Sequence, residues 1–171
     1  MENTVKISAA DVKNLREATG AGMMDCKNAL VEAEGNFDKA VEVLRKKGQK
    51  IAAKRGDNDA KEGLVIAQTS ADGKSGVVVA LNCETDFVAK NDDFVAFVEA
   101  LAKQVAANDY ADVAALAASS LSTGTVESVR SALVGKIGEN ISIRRFKRYT
   151  TANKLSSYVH SGRIGVLVEF S

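Results

Sequence analysis

The 171-residue sequence has no proline and no tryptophan, two cysteines and a single histidine. The absence of proline suits helices and says nothing about function, whereas the shortage of histidine and cysteine removes classes of chemistry. One histidine, His160, cannot build a multi-histidine metal site, and neither Cys26 nor Cys83 lies in a Cys-x-x-Cys pair, so neither a metal nor any other cofactor is expected. Two thiols do not form a disulfide framework and fit a reducing, cytoplasmic setting. The formal net charge of +1 offers no global attraction for nucleic acid or an anionic membrane. Apolar runs stop at about half a dozen residues, against the roughly 20 that span a bilayer. The N-terminal MENTVKISAADVKNLREATG lacks the apolar centre of a signal peptide and carries acids that transit peptides avoid. Aromatic content is 5%, so the core must be aliphatic.

What is present is an ordinary globular share of hydrophobic residues, 46%, in two different periodicities. Residues 8–47 read as three short helices. Ser8 caps the first, with Val12, Leu15 and Ala18 on one face. The second buries some combination of Met24, Ala29, Leu30 and Ala33. The third starts at Asn36, carries Phe37, Ala40, Val41 and Leu44, and closes at Gly48. The run RKKGQKIAAKR at 45–55 then holds six basic residues and no acid, which reads as a solvated linker or an exposed helical extension in preference to a nucleic-acid site.

From Leu64 the period shortens. LVIAQTS and SGVVVALNCE flank Ala71-Asp72-Gly73-Lys74 as a β-hairpin. Asn91 caps a long helix with Phe94, Val95, Val98, Leu101, Ala102 and Val105 at helical spacing. Two further helices, the strand ISIRRFKRYT and a hairpin turning at Ser161-Gly162 follow. The fold class is α+β, with a helical domain over 1–48, a basic linker over 49–62 and an antiparallel core subdomain over 63–152. SGRIGVLVEF repeats the pattern of GKSGVVVALNCE, so 153–171 reads as the start of a second, truncated subdomain.

Catalytic and nucleotide motifs fail. Gly73-Lys74-Ser75 ends like a Walker A loop, but Gln68 stands where the first glycine belongs and no helix follows. Gly20-Ala21-Gly22 follows a helix and lacks the third glycine of a dinucleotide fingerprint, so no direct nucleotide binding is expected. A Cys83–His160 nucleophile pair is formally open, although strand-end and helix-stripe positions favour buried structural thiols. The basic stretch Arg144-Arg145-Phe146-Lys147-Arg148-Tyr149 has two readings: an RNA-binding strand with stacking aromatics, or a sheet strand with Phe146 packed inward. Met23 and Met24 supply either core or adaptable surface for a protein partner.

NCETDFVAKN at 82–91 raises a question that spacing does not answer, because it puts a phenylalanine beside an aspartate where a strand leaves the core. Together with TGAGMMDCKNAL at 19–30, KIGENISIRRF at 136–146 and YVHSGRIGVLVEF at 158–170, it resembles the translation elongation factor Ts family. The resemblance implies a ubiquitin-associated-type three-helix domain, a linker, and an α+β core. It implies a guanine-nucleotide exchange factor, not an enzyme, whose partner is the GTPase elongation factor Tu. Asp86 and Phe87, flanked by Thr85 and Val88, then match the pair inserted beside the partner's nucleotide-associated magnesium. Arg16, Met23, Met24 and Lys27 match the N-terminal docking surface, Ile137 and Gly138 a core contact, and His160 a partner-facing histidine. The chain departs from both the longer and the compact members in where it ends, which fits a partial chain. An uncovered final strand would invite self-association.

Overall fold

Ser8 opens the first helix with a capping box: its hydroxyl accepts the Asp11 N–H at 3.1 Å, and the Asp11 carboxylate accepts the Ser8 N–H at 2.9 Å. The computed structural model describes residues 5–171. Helix α1 (Ala9–Thr19) turns at Gly20 into α2 (Met23–Glu32), and Asn36 caps α3 (Phe37–Arg55). Leu15, Cys26, Ala29, Leu30, Ala33 and Ala40 close a small apolar cluster between them. Neither methionine joins it. Both Met23 and Met24 are exposed, and Phe37 lies largely outside the stripe assigned to it, because Cys26, Ala29, Leu30 and Ala40 already fill the space.

Helix α3 does not close at Gly48. It runs on to Arg55, so the first seven residues of the expected linker, 49–55, are helical. Gly48, Ile51, Ala52 and Arg55 repeat at i, i+3, i+4 and i+7, and Ala52 belongs to the main apolar core. The other five basic residues, Arg45, Lys46, Lys47, Lys50 and Lys54, occupy the remaining, solvated side. A glycine normally lowers helix stability; here it is retained because α7 (Val126–Ile137) crosses α3 at that point.

The sheet is antiparallel in the order β1 (Glu62–Thr69), β2 (Ser75–Cys83), β5 (Ser142–Thr150). Between β2 and β5 lie α4 (Asp86–Ala89), α5 (Asp92–Ala107), α6 (Val113–Ala118), the short pair β3 (Ser120–Leu121) and β4 (Gly124–Thr125), and α7. Phe94, Phe97, Val98, Leu101, Ala102 and Val105 of α5 cover the face carrying Val77, Val79, Leu81 and Cys83. The opposite face meets the hairpin of β6 (Lys154–His160) and β7 (Ile164–Phe170): Gly165 lies against Val65, Ala67 and Val78. Burial on both faces explains why β2 is a continuous apolar run with no alternation. The outer face of the β6–β7 hairpin leaves Tyr158, Ile164, Val166, Val168 and Phe170 exposed.

Candidate functional site

Strand β2 ends at Cys83, and Thr85 starts the single helical turn α4. That turn has an inner and an outer side. Val88 and Ala89 pack against the main core, which forces the residue before them outward. Phe87 is 81% exposed, more than any other large apolar side chain described. Leaving a phenylalanine in water forgoes roughly 2–3 kcal/mol that burial would supply. The core is not short of aromatic partners; Phe94 and Phe97 are enclosed close by in sequence. Asp86, next to Phe87, is half-exposed and forms a surface ion pair with Lys90 at 3.6 Å, a contact of the kind worth little and readily exchanged.

The base of the turn is held far more firmly than its tip. The Thr85 hydroxyl donates to Glu139 at 2.6 Å, and the Glu84 and Thr85 amides donate to the other Glu139 oxygen at 3.1 and 3.0 Å. Glu84 in turn accepts the Asn140 amide at 2.6 Å and the Asn58 side-chain amide at 3.2 Å, with Arg55 at 3.4 Å. The Asn140 amide holds the Glu84 carboxyl below the usual carboxylate range, against an opposing effect of burial, with Asn58 and Arg55 adding to it. Arg130 ties the same corner by donating to the Ile141 carbonyl at 2.7 Å and pairing with Glu127.

The end of α7 joins this turn to the helical domain. Lys136 pairs with Asp93 at 2.7 Å, and its side chain fills the space beside Gly20, just before Met23 and Met24. These methionines are 58% and 64% exposed on the first turn of α2, with Arg16 and Lys27 also exposed. Ile137 packs partly into the core. Gly138, at φ 83°, faces open space, and a methyl group placed there would have no neighbour within 4 Å. The hairpin tip reaches the same end of the sheet: Arg163 pairs with Glu62 at 2.7 Å, the Val65 amide donates to the Gly162 carbonyl at 2.8 Å, and Glu62 lies opposite Cys83. His160 is exposed there, its Nδ1 at 3.0 Å from the Tyr158 hydroxyl. Contacts thus link the Phe87 turn to α7, α7 to the residue that ends α1, and the hairpin tip to the end of the sheet from which the turn leaves.

Glu84, Glu139, Asn140 and Lys136 lie inside the stretches NCETDFVAKN and KIGENISIRRF, but nothing local in those stretches shows what they hold. Their partners are separated by 54 to 56 positions for the Glu84–Glu139–Asn140 contacts, so no spacing could reveal them.

Two chemical readings lose their footing. Strand β5 bulges at Arg144, opposite Ala80 and Leu81, so Ile143 and Phe146 both face inward and two arginines in succession point out. Phe146 meets Tyr110 edge-on at 6.5 Å, which takes that ring away from any RNA strand and leaves Tyr149 as the one exposed aromatic of the stretch, with Lys147 over its ring at 5.8 Å. Cys83 is fully enclosed and donates its thiol to the Thr85 carbonyl at 3.1 Å. Burial, reinforced by the negative charge of Glu139, pushes that thiol up to about 12. It is not a nucleophile at neutral pH. Among the described residues no group of three His, Cys, Asp or Glu side chains could hold a metal, and no helix is long and apolar enough to cross a membrane.

The described residues thus combine an α+β fold with a protruding aromatic-carboxylate pair and two exposed methionines. Comparison with known proteins carries this to a family. Residues 84–171 match the family described as elongation factor TS. The chain is 60% identical over 97% of its length to the elongation factor Ts of Bordetella petrii, covering 57% of that protein. It is 54% identical over 96% of its length to that of Thiobacillus denitrificans, again covering 57%. For Burkholderia cenocepacia the identity is 53% over 96% of the chain and 56% of the relative. The chain belongs to the elongation factor Ts family. It spans somewhat over half the length of the curated relatives it matches.

Proposed function

We propose that this chain takes part in translation elongation as a guanine-nucleotide exchange factor, docking on elongation factor Tu in the cytoplasm and promoting GDP release. The observation that carries the reading is Phe87: an 81% exposed ring on a turn whose base is fastened by several hydrogen bonds. A GTPase holds GDP through a phosphate-binding loop, a helix N-terminus and Mg²⁺. A ring pressed beside that assembly displaces the side chains supporting the metal, and the Asp86 carboxylate alters the field around it. Met23, Met24, Arg16 and Lys27 supply docking area on one side, Ile137 and Gly138 in the middle, and His160 on the other.

Exchange then follows from linkage. If binding the factor weakens GDP by a given ratio, GDP weakens the factor by the same ratio. GTP, in excess, completes the cycle. No bond is made or broken by the factor, so nothing in the mechanism asks for a nucleophile or a proton donor.

Stopped-flow release of fluorescent GDP from elongation factor Tu tests this. The chain accelerates release, and Phe87→Ala removes most of the acceleration. Equal rates for parent and variant would remove the wedge role; a parent no faster than spontaneous release would remove the exchange reading for this length of chain.

A further inference from the structure

Phe87 can act as a wedge only if the turn beneath it does not give way. A ring on a loose loop would bend aside when pressed against a partner, and ordering it would consume binding free energy. The four-residue helix α4 is too short to be rigid by itself. Its stiffness has to come from elsewhere, and two carboxylates at its base provide the means.

The two carboxylates are exchanged between loops. Glu139 stands after α7 and accepts the backbone N–H groups of Glu84 and Thr85, together with the Thr85 hydroxyl. Glu84 stands after β2 and accepts the backbone N–H of Asn140. Each loop therefore satisfies the main chain of the other. Asn140, itself buried, extends the arrangement to a third loop by donating to the carbonyls of Asn58 at 2.8 Å and Gly56 at 3.4 Å. Hydrogen bonds from backbone amides to carboxylates are short and about twice as strong as neutral ones. They also fix direction, because an amide N–H cannot rotate to follow a moving acceptor.

We infer that Glu139 is a positioning residue, which with Glu84 locks the Phe87 turn and the Ile137–Gly138 corner into one rigid presenting surface. Glu139 acts only through Thr85 and the adjoining amides. The thiol of Cys83 adds a second hydrogen bond to the Thr85 carbonyl, which already accepts the Ala89 N–H at 3.3 Å. This inference rests on the exchange-factor reading for its consequence, but not for its physical content, so the two can be tested apart.

The test uses the whole chain carrying Glu139→Ala or Glu139→Gln, read by amide hydrogen exchange and by GDP release from elongation factor Tu. In Glu139→Ala the Glu84 and Thr85 amides exchange at least about tenfold faster while those of Val79 and Leu101 keep their protection. Phe87-dependent GDP release falls roughly tenfold in the same variant. Glu139→Gln keeps the length and an acceptor oxygen, and stays within about threefold of the parent in both measurements. Unchanged Glu84 and Thr85 exchange in Glu139→Ala overturns the inference, as does unchanged GDP release once those amides have loosened. Loss of protection spread equally to Val79 and Leu101 also overturns it, since the role would then be general stability. If the parent itself releases no GDP, the exchange reading falls, and the amide measurements alone decide whether the two carboxylates lock the turn.

Discussion

Gly48 and Gly135 face each other where α3 crosses α7: a methyl group placed on Gly135 would lie 2.8 Å from the Gly48 Cα. A methyl on Gly48 would meet the Ser131 carbonyl oxygen at 3.0 Å. The helical domain is therefore seated on the core by backbone-to-backbone contact. Any side chain at the crossing would lift α1 and α2, with the exposed Met23 and Met24, away from the core.

Gly135→Ala tests this seat. At an ordinary helix interior the change would stabilise by roughly 0.5–1 kcal/mol through helix propensity. Overpacking against backbone costs roughly 1–3 kcal/mol. The second effect is larger, so the expected outcome is a net loss of about 1–2 kcal/mol in chemical denaturation. A variant as stable as the parent, or more so, would mean that the helices separate freely and that the seat is not rigid.

The same crossing shows what is legible in the sequence and what is hidden. The capping residues Ser8, Asn36 and Asn91, the Asp-Gly hairpin and the α5 stripe, apart from Phe97 buried in place of Val95, are readable, since each depends on neighbours within a few positions. Gly48 reads wrongly as a helix end because its reason for being glycine lies on α7, more than 80 residues along the chain. The exposed methionines are ambiguous for a related reason: periodicity gives the face of a helix, and burial depends on what is packed against it. At the candidate site, the residues alone favour a turn with Phe87 folded inward, and only the family resemblance points the ring outward, where it is. The role of the carboxylates beneath it is not legible, because an acidic residue in a loop looks the same whether it is solvated or holds another loop's amides.

Exposure and function can be separated at Phe87. Phe87→Ala is expected to change stability by no more than about 0.5 kcal/mol, as for other surface positions. Phe94→Ala, by contrast, removes a fully enclosed ring and should cost about 3–5 kcal/mol. Thermal or urea unfolding of the two variants checks the contrast. A large loss for Phe87→Ala would show that the ring packs against its own fold in solution, and its effect on GDP release would then carry no information about a partner.

Acid should loosen the base of the turn. The Asn140 amide, ahead of Asn58 and Arg55, holds the folded-state Glu84 carboxyl below its ordinary range. A depressed carboxyl contributes stability that is fully present above its unfolded value, about 4.3, and is lost as pH falls through the folded one. Glu84→Gln is thus expected to be less stable than the parent at pH 7, with the gap closing as both are acidified from pH 5 towards pH 3. Melting temperatures across that range measure it. A gap that stays constant with pH would show that the Glu84 charge has no part in holding the corner.

Cys83 offers the last check, on the core immediately below the turn. Its thiol is enclosed, donates to the Thr85 carbonyl, and is pushed up to about 12 by burial and by the charge of Glu139. The thiolate, which is the reactive form, is therefore strongly disfavoured at pH 8. Native protein should leave Cys83 unlabelled by an alkylating reagent under conditions that label it fully in urea, and the site of labelling is read by peptide mass spectrometry. Glu139→Ala should raise native labelling, because it removes the nearby negative charge and loosens the amides that close the turn over the thiol. Rapid labelling in the native parent would mean that the base of the turn opens spontaneously, and a wedge on such a base could not press against anything.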